Sequence, residues 1–260
     1  MTAPTVVEAL RWMEVLASLA IVQGTLELLA ERASFRDDGT WRWATLAREL
    51  RLLAPVLRYR PFLALLAVRL LAALLLLAGV RGGAHGGVSL ALWATSLLVN
   101  VRFRGTTNGG SDMMLMVVLS ALTVAHAAPN TEWVRRAALL YVAAQSFMSY
   151  FVAGVAKLAS PAWRDGRAVR SFLATPHFAV PPILVRSLLA PARLRAVSWG
   201  VMAFECAIPL AVTRPLACAA YLVVALGFHT VNAWAFGLNR FVLAWAASWP
   251  ALLYVSSLAT

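Results

Sequence analysis

Apolar stretches long enough to cross a bilayer recur along this chain, and nothing else in the sequence limits its fold as strongly. A spanning helix needs roughly 20 mostly apolar residues, because the hydrocarbon layer is about 30 Å thick and each helical residue advances about 1.5 Å. Such runs occupy residues 6–30, 61–79, 88–101, 111–128, 137–158, 196–213, 215–236 and 241–258. In lipid every backbone N–H and C=O must find its partner within the protein, and an α-helix does so within one segment. The expected fold is therefore all-α: an integral membrane bundle of about seven or eight transmembrane helices around an internal polar cavity. Composition agrees, since 61 % of the residues are hydrophobic and 13 % charged, against about a quarter charged in soluble domains. The first run is too long for the core of a cleaved export signal and lacks a small-residue cleavage site, so it reads as a retained helix.

The formal net charge is +12, which in a soluble protein would suggest nucleic acid. Here the arginines sit between apolar runs. Arg36, Arg42, Arg48, Arg51, Arg58 and Arg60 share one connection, where anionic lipid headgroups can meet them. Membrane lipid is the expected partner and nucleic acid is not. In residues 31–60, Trp41, Trp43, Leu46, Leu50, Leu53 and Leu57 recur at helical spacing among those arginines, as in a helix lying in the interface plane. Residues 159–195 form the longest connection, rich in proline, with room for a short re-entrant or surface helix. The glycine-rich run from Arg81 to Gly87 lacks the Gly-Lys-Ser/Thr ending of a phosphate loop and reads as a flexible connection. Cys206 and Cys218 have no metal-ligand spacing, so neither a metal nor a nucleotide site is expected. Residues 1–260 read as a single membrane domain. With eight spans, connections 31–60, 102–110, 159–195 and 237–240 share a face, and their arginines place that face in the cytoplasm.

A charge at bilayer depth costs several kcal/mol, so each one is a functional candidate. Lys157 stands out as the only lysine among 23 strong bases. Arginine keeps its proton, whereas a desolvated amine can release one. The bland alternative is a lysine snorkelling to the headgroups. On a helix, Ser146, Tyr150, Gly154 and Lys157 fall near one face, with Gln145 and Ser149 beside it. Hydrogen bonding between helices would also account for that stripe. Other polar groups inside apolar runs are Glu14, Glu27, Asp112, Glu205, His229 and Asn232. His229 and Asn232 stand three residues apart and can face one cavity. Glu205 precedes Pro209 by four residues and is expected to be neutral or paired with Lys157 or an arginine. Asp112 follows Asn108-Gly109-Gly110-Ser111 and could instead cap the next helix.

Three stretches together resemble a known family. Tyr150-Phe151-Val152-Ala153-Gly154-Val155-Ala156-Lys157-Leu158, followed by Trp163 and Gly166, is similar to the signature of the HTTM membrane domain. That is the membrane module of vitamin K-dependent γ-carboxylase and of many bacterial proteins. Asn108-Gly109-Gly110-Ser111-Asp112 resembles the family's Asn-Gly-Gly-x-Asp turn, and Phe228-His229-Thr230-Val231-Asn232 its Phe-His-x-x-Asn. The resemblance spans roughly residues 90–250. It implies that Lys157 matches the lysine taken as the base that deprotonates vitamin K hydroquinone. Ala156 stands where the carboxylase has a further lysine, so the carry-over reaches the base and not the glutamyl substrate.

The expectation is a membrane enzyme, in a bacterial cytoplasmic membrane, acting on a lipophilic small molecule of quinol or isoprenoid type. Lys157 is the candidate base, with His229, Glu205 and Asp112 as further catalytic candidates. Asn232, Asn108, Tyr150, Gln145 and Trp163 are the candidate substrate-binding residues, and a quinol is the candidate cofactor. An isoprenoid cyclase using Asp112 and Glu205 as acids is the alternative, with tryptophan faces stabilising carbocations. A third reading is a non-catalytic partner in the maturation of a secreted peptide.

Overall fold

The structure, a computed structural model, describes residues 4–46, 51–105, 109–178 and 180–259. Among the described residues the chain is helical almost throughout and contains no strand. The principal helices are α1 (Val6–Ala30), α2 (Tyr59–Leu77), α3 (Gly83–Arg102), α4 (Gly110–Ala127), α5 (Glu132–Ala159), α6 (Arg167–Ala174), α7 (Pro191–Cys206), α8 (Pro215–Phe236), α9 (Asn239–Ala246) and α10 (Trp249–Ser257). Of these, α1 to α5 and α8 are long and apolar enough to cross a membrane, six among the described residues. The protein is an integral membrane protein.

The expected run 196–213 is broken into α7 and a short helix, Ile208–Ala211, and the run 241–258 into α9 and α10. Each break precedes a proline. Proline has no N–H for the carbonyl four residues back, and its ring collides with that carbonyl. Four residues before Pro209 is Glu205, and four before Pro250 is Ala246. Hydropathy is blind to this, because proline barely alters the apolar average.

Burial decides which helix sits inside. Ala9, Met13, Ala17, Ala20, Ile21 and Leu28 of α1 are all buried, and the small residues among them let neighbours close in. Helix α1 packs against α2, α4, α9 and α10, while α5 packs against α4, α7 and α10. The start of α1 is fixed by a capping box: Glu8 N–H donates to Thr5 Oγ1 at 3.2 Å, and Thr5 N–H donates to Glu8 Oε2 at 2.8 Å.

Two connections differ from expectation. The glycine-rich run is not a flexible link, since α3 already begins at Gly83 and the turn before it is made by Gly79 and Gly82 at φ +83° and +69°. His85 is thereby a helical residue. In residues 31–60 the described part is not one interfacial helix: it divides into 3₁₀ turns at Arg32–Phe35 and Arg51–Leu53 and short helices at Trp43–Leu46 and Ala54–Leu57. Phe35, Trp43 and Leu57 are buried against Phe62, Leu66 and Val99. Arg102, fully buried, anchors this layer. Its guanidinium lies 4.4 Å from the Phe62 ring centroid and 5.2 Å from that of Phe35, and its Nη2 donates to the Trp41 carbonyl at 3.1 Å.

Candidate active site

Close approach of α5 and α7 builds the site. A Cβ added at Gly154 would lie 2.7 Å from Cys206 Sγ, 2.9 Å from Cys206 N and 2.9 Å from Glu205 Cβ, so only glycine fits there. The contact brings the end of α7 alongside the last turn of α5. Lys157 Nζ donates to both carboxylate oxygens of Glu205, each at 2.7 Å. The Glu205 side chain is 7 % exposed and that of Lys157 21 %, so the amine keeps an open side. Trp163 stands over it, the ring centroid 5.3 Å from Nζ. Trp163 is held by α7, since Ser198 Oγ donates to its carbonyl and Trp199 Nε1 donates to the Arg164 carbonyl at 3.2 Å.

About two helical turns back along α5 from Lys157, Tyr150 Oη and His229 Nε2 share a hydrogen bond of 2.7 Å. Both side chains are buried. His229 stacks on Trp245 with centroids 5.3 Å apart and ring planes 18° apart. His229 Nδ1 and Trp245 Nε1 are buried with no hydrogen-bond partner. Such groups cost about 1–3 kcal/mol each when left unmet, so they are natural points for a ligand's polar atoms.

These groups open on one pocket of about 640 Å³, within the span of about 300–1,000 Å³ usual for small-molecule sites. Lys157, Glu205, Tyr150, His229, Asn232 and Trp163 all line it. The remaining wall is largely apolar. Phe172 of α6, Phe178 and Phe236 meet there, with Phe178 and Phe236 centroids 5.3 Å apart. Helix α6 is amphipathic and tucks Val169 and Leu173 against Leu194, so the long connection covers the pocket as well as linking helices.

Other sequence candidates go elsewhere. Gln145 is exposed and does not line the pocket. Asn108 lies outside the described residues. Asp112 sits in the first turn of α4, behind Gly109 as N-cap, and is not a pocket residue. Its Oδ1 is 4.0 Å from Arg240 Nη1, and Arg240 Nε donates to Glu27 Oε2 at 2.5 Å. Arg69 belongs to the same region, donating to Ser96 Oγ at 3.1 Å and Thr25 Oγ1 at 3.2 Å. The sequence reading passed over Arg69, although a charge inside an apolar run was the signal for it. It also missed Phe172, Phe178 and Phe236, for which no sequence signal exists. In α5, Ser146 Oγ contacts Ser248 Oγ at 3.1 Å, which is helix-to-helix bonding away from the pocket.

A family model described as the HTTM domain matches residues 117–256, more than half of the chain. The chain belongs to the HTTM family. The match covers α5 to α9 entirely and carries two of the three motifs, those around Lys157 and His229, while Asn108 to Asp112 precede it. Comparison with curated proteins and with solved structures gives no match. Membership makes this HTTM protein a relative of the membrane domain of carboxylase-like proteins and leaves its chemistry to be argued from its own pocket.

Proposed function

We propose that this HTTM protein is a membrane enzyme that removes a proton from a lipophilic small molecule of quinol or isoprenoid-phenol type, with Lys157 as the base. The observation that carries this reading is the Lys157–Glu205 pair set in the wall of a large, mostly apolar pocket. A buried ion pair is a poor stabilising device, since desolvation offsets most of its attraction, so its place beside a ligand-sized space calls for a use. Proton transfer within the pair, from ammonium to carboxylate, leaves a neutral amine beside a neutral acid. The amine lone pair then takes the hydroxyl proton of the bound molecule, and the resulting ammonium holds the oxyanion. His229 and Asn232 line the pocket as hydrogen-bonding groups that orient the substrate, Tyr150 fixes the His229 ring, and the phenylalanines exclude water.

The same reading extends to the whole chain as a single membrane domain. The two proline-broken segments complete eight crossings, and the arginine-rich connections lie on the cytoplasmic face of a bacterial membrane. An acid-triggered cyclase needs Asp112 and Glu205 in one site. Asp112 stands with Arg240 instead, which leaves that reading without support.

The test has two arms. Lipids extracted from purified wild-type protein should contain a quinol or isoprenoid phenol, which Ala153→Phe, filling the pocket, should exclude. Turnover of that compound should be lost in Lys157→Arg at matched expression, because arginine keeps the charge and the pairing but does not release its proton. A fully active Lys157→Arg protein sinks the mechanism. Identical extracts from both proteins, with a peptide co-purifying, would favour the non-catalytic role in peptide maturation.

A further inference from the structure

A second polar cluster lies most of the length of α5 away from Lys157, where α1, α3 and α4 meet. Glu14 of α1 is 3 % exposed. Its Oε1 accepts from Arg11 Nη1 at 2.8 Å. Its Oε2 faces His85 Nε2 at 3.4 Å and His126 Nε2 at 3.9 Å. The two imidazoles stack, with centroids 3.6 Å apart and planes 29° apart. All three ligand atoms lie within 4.8 Å of one another.

The surrounding hydrogen bonds decide where the lone pairs are. Ser89 Oγ donates to the His85 carbonyl at 3.0 Å, which uses its only hydrogen. With that hydrogen donated to the carbonyl, Ser89 Oγ accepts from His126 Nδ1–H, 2.6 Å away. In that tautomer His126 turns its Nε2 lone pair toward Glu14, with the hydroxyl standing where a metal-binding histidine has its orienting partner. His85 Nε2 is buried and has no hydrogen-bond partner of acceptable geometry. Arg11 is tied to the carbonyls of Leu76 at 2.7 Å and Leu77 at 2.8 Å, so it holds Oε1 and leaves Oε2 as the available oxygen. A tetrahedral ion with bonds of about 2.0–2.1 Å keeps its ligand atoms about 3.3 Å apart, and Glu14 Oε2 already stands 3.4 and 3.9 Å from the two imidazole nitrogens. A pocket of about 290 Å³ adjoins the three side chains and has room for water as a further ligand.

We propose that Glu14, His85 and His126 form a site for one divalent transition-metal ion of the zinc or iron(II) class, with an open coordination position toward the adjoining pocket. Two imidazole nitrogens and one carboxylate oxygen are a donor set that such borderline ions take readily. The site is independent of the Lys157 chemistry. The cysteine-based expectation of no metal site missed it, because its ligands come from three helices and share no sequence spacing.

The experiment uses the full chain, purified in detergent, stripped by a chelator and dialysed. Zinc added back should be retained at one ion per chain. Cobalt(II) should give the ligand-field absorption of a low-coordinate site, bleached by zinc. His126→Gln and Glu14→Gln should each weaken zinc binding at least about tenfold, and Ser89→Ala, which removes only the orienting hydroxyl, by about tenfold. Folded wild-type protein that retains no zinc, or Gln variants that bind as wild type does, overturns the proposal. Should the Gln variants fail to fold, the Ser89→Ala titration decides: a weakened site supports the proposal and an unchanged affinity ends it.

Discussion

Gly154 shows how a single missing side chain can place a functional group. With Cys206 and Glu205 filling the space where its Cβ would stand, any larger residue pushes α7 from α5 and pulls the carboxylate from the amine. Gly154→Ala should lower thermal stability in detergent by about 1–3 kcal/mol, the usual cost of overpacking. Gly200→Ala, on the same helix pair but facing open space, should be neutral or gain up to about 1 kcal/mol from helix propensity. Equal stabilities for the two variants would refute the packing argument. Tyr150→Phe should cost about 1–3 kcal/mol, because His229 Nε2 then loses its partner in a buried setting; an unchanged melting temperature would count against that bond. Lys157, Tyr150, Glu205, His229 and Asn232 were legible in the sequence because polar groups are expensive in lipid and therefore conspicuous there, and Trp163 through the family resemblance. Their grouping was only half legible. Asp112 and Gln145 are as conspicuous as Glu205, yet one faces Arg240 and the other faces outward, and a sequence gives no direction to a side chain until neighbours are known.

Helices were read reliably where apolar runs are long, since the bilayer dictates both length and secondary structure. Boundaries failed where local chemistry interrupts a run. Pro209 ends the regular ladder at Glu205, so the break and the acid are linked. Pro209→Ala should let α7 continue into Ile208–Ala211. Amide exchange across residues 206–210 should slow, and Lys157-dependent turnover should fall as Glu205 is re-aimed, with the protein still folded. Unchanged exchange would show that packing rather than proline sets the break. Residues 31–60 depart from one continuous helix among the described residues for a different reason: their apolar residues repeat at helical spacing, but Phe35, Trp43 and Leu57 are buried in the bundle.

At the scale of the molecule, the proposed topology predicts Arg36 and Arg170 on one face and Arg81 and Asn130 on the other. Single cysteines at these positions, in a Cys206→Ala, Cys218→Ala background, should react with an impermeant maleimide in those two groups. Labelling of Arg36→Cys and Arg170→Cys from opposite faces would break the topology. The sequence by itself determined that the chain is an all-helical membrane protein, because bilayer thickness and the obligation to satisfy backbone polar groups act on composition and run length, which are local properties; its motifs carried the HTTM family. Only the tertiary structure decided which polar groups meet. Lys157 and Glu205, 48 residues apart, form the one pair among the alternatives the sequence left open for Glu205, and Glu14, His85 and His126 come from three separate helices. Such meetings depend on how helices close on small residues such as Gly154, and side-chain direction enters only once the helices have packed.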